Sequence, residues 1–145
     1  MRRAALLLGA VLAVSGCGGP SRDEAVSTAE TWLRAVGDRD AERACALMQD
    51  SAVEALRQRS GLNASASCTG VIRSYAGAFD DGEVDGILEL GLEAEGTVKK
   101  DELGVFPVSG PRELQVILMR HSGGKWKVAS TTIGPTEPKP APDSD

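Results

Sequence analysis

Apolar residues recur at helical spacing through the first half of the chain and alternate through the second, so the pattern predicts helices followed by sheet. Ala25, Val26, Ala29, Trp32, Leu33 and Val36 share one helical face until Gly37, and Ser21 with Glu24 has the spacing of a capping box. This predicts a first helix with Trp32 as its core anchor. Asp38 is placed to cap a second, short helix from Asp40 to Met48, with Ala41, Ala44, Cys45 and Met48 facing inward. Ser51 and Glu54 repeat the capping-box spacing ahead of Val53 and Leu56, which predicts a third short helix ending near Gly61. Cys68, Val71, Ile72 and Tyr75 form one more helical face, weakened by Gly70 and Gly77.

From Asp80 onward β-branched residues and glycine punctuation replace the alanine-rich pattern. Strands are expected over Val84 to Leu90 and Leu92 to Lys99, with bends at Gly91 and Gly96, and over Gly104 to Val108, where Pro107 suits an edge or irregular position. The clearest pair is Arg112 to His121 and Lys125 to Ile133, joined by Ser122, Gly123 and Gly124 as a tight hairpin. Leu114, Val116 and Leu118 share one face with Arg120, and Ile117 and Met119 the other, so both faces of that strand are expected to be covered in its middle. Trp126 and Val128 continue one face of its partner. Residues 135–145 are rich in proline and polar residues and are read as a disordered tail. The sequence thus divides into a leader (1–16), a short tether (17–20), one α+β domain (21–134) and the tail.

The leader carries Arg2 and Arg3, an apolar run from Ala4 to Val14, and Ser15, Gly16, Cys17. The run covers only about 17 Å of a ~30 Å hydrocarbon core, too little to span it. The spacing resembles the bacterial lipobox. That resemblance implies cleavage ahead of Cys17 and diacylglycerol on its thiol, and so a protein held by N-terminal acyl chains on the extracytoplasmic face of the cell membrane, by either export route. The ordinary alternative is a secretory peptide in which Cys17 stands by chance.

Removing Arg2 and Arg3 leaves 14 of the 16 basic residues against 21 acidic ones, a side-chain charge of about −7. Nucleic acid is therefore not expected as a partner, and anchoring must come from acyl chains, at ~0.8 kcal/mol per buried CH₂. Aromatic residues are 3% of the chain, which argues against surfaces that stack sugars or bases. With Cys17 lipidated, Cys45 and Cys68 remain as a pair in an oxidising compartment, and a disulfide between them is expected. It closes a loop of about 24 residues, which the chain-entropy account credits with roughly 3 kcal/mol. Two buried free thiols are the alternative, and a metal site with His121 is a weaker one, because the spacing of zinc modules is missing.

Candidate chemistry is sparse. Asp80, Asp81, Gly82, Glu83, Val84, Asp85 and Gly86 resemble a calcium loop, but the twelfth position counted from Asp81 is Leu92 where a glutamate is needed, so a solvated turn is expected. Asn63, Ala64, Ser65 spell a glycosylation acceptor and are read as a polar loop. Histidine is the side chain that titrates near neutral pH, which makes the lone His121 a candidate general base, with Tyr75 and Asp85 as a possible acid and base pair in an enclosed pocket. No nucleophile elbow or phosphate loop is recognisable, and no cofactor or metal is expected.

The Trp-bearing first helix ending in Val36, Gly37, Asp38, the cysteines in the helices after it and the terminal strand Gly124, Lys125, Trp126, Lys127, Val128 resemble the NTF2-like, cystatin-like cone domains of small bacterial lipoproteins. The resemblance covers roughly Ser21 to Ile133 and implies a long helix across a curved antiparallel sheet. The family it resembles includes isomerases and dehydratases, but most of its lipoprotein members look like binding or scaffold modules, so the first expectation is a non-catalytic envelope module binding a small apolar ligand or a neighbouring protein. An isomerase or hydro-lyase using His121, Tyr75 or Asp85 is the alternative, as is a self-associating module forming a homodimer through its sheet.

Overall fold

The computed structural model describes residues 19–95, 101–108 and 115–135. Cys17 with its leader, Gly96, Leu114 and the tail from residue 136 lie outside them. Five helices, α1 Arg22–Gly37, α2 Ala41–Ala46, α3 Asp50–Arg59, α4 Cys68–Ala76 and α5 Glu83–Leu90, pack on a sheet of β1 Leu92–Ala94, β2 Glu102–Pro107, β3 Ile117–Ser122 and β4 Lys125–Thr131. The sheet is antiparallel in the order β1-β2-β3-β4, so each described strand pairs with its neighbours in sequence. The α+β class expected from the sequence is the class observed.

Helix α1 forms where its periodicity places it. The Ser21 hydroxyl accepts from Glu24 N at 3.4 Å, and Asp38 ends the helix by donating its N–H to the Arg34 carbonyl. Ala25, Ala29, Trp32, Leu33 and Val36 are buried, and that stripe lies against all four strands. Asp38 is therefore the C-terminal cap of α1 rather than the N-terminal cap of α2. Asp40 takes that role, accepting from Arg43 N at 3.1 Å, once Arg39 has turned the chain with φ 59°.

Three further expectations are corrected. Ser51 does not cap α3, because the helix begins a residue earlier at Asp50, with Gln49 as its N-cap. The chain enters α3 through the sheet: Val128 N donates to Leu47 O at 2.8 Å and Gln49 N to Val128 O at 2.9 Å. Those two bonds set where the helix starts. Val84 to Leu90, expected as a strand, is the helix α5. Val84, Ile87 and Leu88 sit at helical spacing and pack into the core, and the segment lies along α1. Gly91 is then no bend in a strand but the C-cap of α5, with φ 86°.

In the sheet, Leu103 and Val105 of β2, Ile117 and Met119 of β3, and Trp126 and Val128 of β4 face the helices. Pro107 is tolerated because it ends β2, beyond the last residue paired with β3, which is Val105. On the opposite face Phe106 lies over Gly104, where a Cβ would stand 3.0 Å from the Phe106 Cζ, and Leu118 pairs with Gly104. A bulge between Leu118 and Met119 leaves Ala129 unpaired and shifts the alternation, so that Thr131 and Ile133 turn inward.

Candidate functional site

The three side chains proposed for acid and base chemistry are not brought together. Tyr75 lies in the core, stacked on Trp32 with ring centroids 6.0 Å apart and edge-on to Phe79 at 5.2 Å. Its hydroxyl donates to the Ile133 carbonyl at 2.7 Å, and burial raises its pKa well above the usual tyrosine range, opposed in part by a hydrogen bond with Thr131 and by the Arg59 charge. A phenol so held is a structural tie. His121 sits near the end of β3, its ring edge-on to Trp126 at 5.3 Å and its backbone N–H donating to Asp101 O at 2.7 Å. Asp85 is exposed on α5.

The acidic stretch is divided between a turn and a helix. Asp80 N donates to the Glu83 carboxylate at 3.1 Å, Asp81 faces Arg39 at 3.3 Å, and Glu83 opens α5. Among the described residues no group of three His, Cys, Asp or Glu side chains is arranged to hold a metal ion. Asn63 forms the polar loop expected of it, its side-chain oxygen accepting from both Ser65 N and Ser65 Oγ.

Two of the surface recesses lie where three helices meet. A crevice of about 240 Å³ lies where the ends of α1, α4 and α5 meet, floored by Val36, Ala76, Phe79 and Val84 and rimmed by Arg39, Asp81 and Asp85. A larger, more open cleft of about 520 Å³ lies between α2, α3 and the start of α4. Its apolar wall is Met48 and Val53, 4% and 7% exposed, and its rim carries Asp50, Ser51, Glu54 and Ser67.

The Cys45–Cys68 disulfide forms one side of that cleft. The two cysteines meet because α2 and α4 pack face to face on the apolar stripes that the sequence assigns them. Arg57 completes the wall: its Nε donates to the Ala66 carbonyl at 3.2 Å and its Nη1 pairs with Glu54, which ties α3 to the loop ahead of α4. The spacing of Arg57 from Glu54 was a visible sign of an i,i+3 pair. Its bond to Ala66 joins two elements and has no sequence signal.

An α+β domain with five helices and four strands among the described residues and a disulfide-walled surface cleft is the class that these observations define. Comparison with known protein families, curated proteins and solved structures finds no match to this chain. Among the described residues no helix is long and apolar enough to cross a membrane.

Proposed function

We propose that this chain is a lipid-anchored module of the extracytoplasmic face of the cell membrane, with an NTF2-like arrangement of α1 across the sheet, and that it binds a small, largely apolar ligand without transforming it. The observation that carries the binding reading is the 520 Å³ cleft, within the size range of small-molecule sites, with Met48 and Val53 on its wall, Arg57 beside them engaged by Glu54 and the Ala66 carbonyl, and Asp50 and Glu54 at its rim. The placement of Tyr75, His121 and Asp85 in three separate surroundings supports binding over isomerase chemistry, since acid–base catalysis needs its groups within reach of one substrate.

The anchor rests on the sequence ahead of Ser21 and is supported by the use of Cys45 and Cys68 on each other, which leaves Cys17 as the remaining thiol. Three residues lie between Cys17 and Ser21, and the four backbone steps reach about 14 Å, so the domain works close to the headgroups. Cys17→Ala is expected to shift the protein from the membrane to the soluble extracytoplasmic fraction. Unchanged retention, with no mass gain on the Cys17 peptide of the wild type, refutes the anchor. For the cleft, native mass spectrometry of the full protein from its own host is expected to show a co-purifying small molecule that Ser51→Trp at the rim displaces. A clean protein mass in the wild type refutes the ligand.

A self-associating module is the second reading, favoured by the half-buried Phe106 and Leu118 on the sheet face away from the helices. A mass that doubles with concentration in sedimentation, and reverts with Leu118→Lys, would decide for it.

A further inference from the structure

The Cys45–Cys68 bond is set unlike a purely internal staple. Both cysteines are only partly buried, and both line the 520 Å³ cleft. An incoming nucleophile can therefore approach the bond from solvent without local unfolding.

The surroundings of the two sulfurs differ. Cys68 is the first residue of α4, a nine-residue helix whose N-terminal end carries partial positive charge, with Ser67 as its cap accepting from Gly70 N at 3.2 Å. Cys45 is the penultimate residue of α2, at the end where partial negative charge gathers. Negative charge is thus better accommodated on the Cys68 sulfur than on the Cys45 sulfur, and the thiol that better bears charge leaves faster in exchange. Of the charged groups lining the cleft, Asp50, Glu54 and Arg57, the last donates to the Ala66 carbonyl two residues ahead of Cys68 and pairs with Glu54, so the cation is fixed on the Cys68 side and adds to the bias of the helix ends.

We infer that the Cys45–Cys68 disulfide is a directional thiol–disulfide exchange site, open through the cleft to a small external thiolate that bonds to Cys45 Sγ and expels Cys68 as the thiolate. In the first step the external sulfur bonds to Cys45, the Cys45–Cys68 bond breaks, and its electron pair leaves on Cys68. A second external thiolate then attacks the mixed disulfide, releasing Cys45 as its thiolate, so that two thiolates are oxidised to one disulfide as the protein takes up two electrons. The inference depends on the disulfide, the cleft and the two helix ends. It stands whether or not Cys17 is lipidated.

Sulfite tests it, because it attacks a disulfide to leave a stable S-sulfonate on the sulfur it strikes and a free thiol on the other. The full-length protein in detergent is treated with sulfite under native conditions, acid-quenched, alkylated and peptide-mapped. The expected result is sulfonate on Cys45 over Cys68 by roughly five-fold, the effect of favourable and unfavourable helix ends together, falling to near parity in guanidinium. Parity or reversal in the native protein overturns the direction. Reaction in guanidinium alone overturns the access.

Discussion

The hydroxyl of Tyr75 on α4 donates to the carbonyl of Ile133 at 2.7 Å across 58 residues of sequence, fastening the residue just past the last strand to a helix from the first half. The strand reaches that position only because the β3–β4 bulge turns Ile133 inward, where it is fully buried. Thr131 joins the same cluster, its hydroxyl accepting from Ile133 N at 3.1 Å.

Tyr75→Phe keeps the ring contacts with Trp32 and Phe79 and leaves the Ile133 carbonyl unpaired in the core. A loss of about 1.5 kcal/mol is expected in urea unfolding. The wild type carries an alkaline dependence as well. Burial raises the Tyr75 pKa in the folded state above that of the unfolded chain, so the folded state holds its proton more tightly. That contribution is complete below about pH 10 and is lost as the pH climbs toward the folded-state value. Unfolding free energies measured between neutral and strongly alkaline pH should fall less steeply in Tyr75→Phe than in the wild type.

The disulfide links residues 23 apart in sequence, and its removal frees the unfolded chain. Cys45→Ala with Cys68→Ala is expected to lower stability by roughly 3 kcal/mol. The same loss should appear in the wild type after reduction and alkylation. A denaturation midpoint equal to that of the oxidised protein would show that α2 and α4 are held by packing alone.

Gly37 lets α1 lie tight against α5, since a Cβ there would stand 2.9 Å from Val84 Cγ1, a buried β-branched side chain. Gly37→Ala gains up to about 1 kcal/mol in helix propensity and incurs about 1–3 kcal/mol of overpacking, so a net loss near 1 kcal/mol is expected. Combining it with Val84→Ala relieves the clash. The double variant should then be more stable than the sum of the two single changes predicts, as read from thermal denaturation.

Ser67 and Ser51 separate a true cap from an apparent one. The Ser67 hydroxyl accepts from Gly70 N at 3.2 Å, whereas Ser51 is exposed within the first turn of α3. Ser67→Ala is expected to cost about 1 kcal/mol, and Ser51→Ala to change stability by less than about 0.5 kcal/mol. Chemical denaturation of the two single variants reads the contrast directly.

Local chemistry made much of this domain readable from its residues. The face from Ala25 to Val36 had to be buried and Ser21 was suited to cap it, because both follow from spacing within one helix. Gly123 and Gly124 form the β3–β4 turn with φ of 58° and 76°, a conformation that other residues rarely adopt. Cys45 and Cys68 lay on helical faces able to meet, and they are bonded.

Tertiary packing decided the rest. Residues 83–90 fit either period, because a short apolar run with Gly86 in its middle has no strong preference of its own, and contact with α1 made them a helix. The start of α3 was set by two bonds to Val128 rather than by Ser51, and the inward turn of Thr131 and Ile133 by a bulge that alternation cannot foresee. Tyr75 read as part of a helical apolar face with acid chemistry as an alternative, and the carbonyl of Ile133 on its hydroxyl decided between them. The chain by itself determined what depends on neighbours a few residues away: caps, helical faces, a hairpin turn and a cysteine pair. Only the folded structure decided what depends on groups distant in sequence, because the partner that satisfies a hydroxyl, fixes a helix start or opens a cleft beside a disulfide comes from another element.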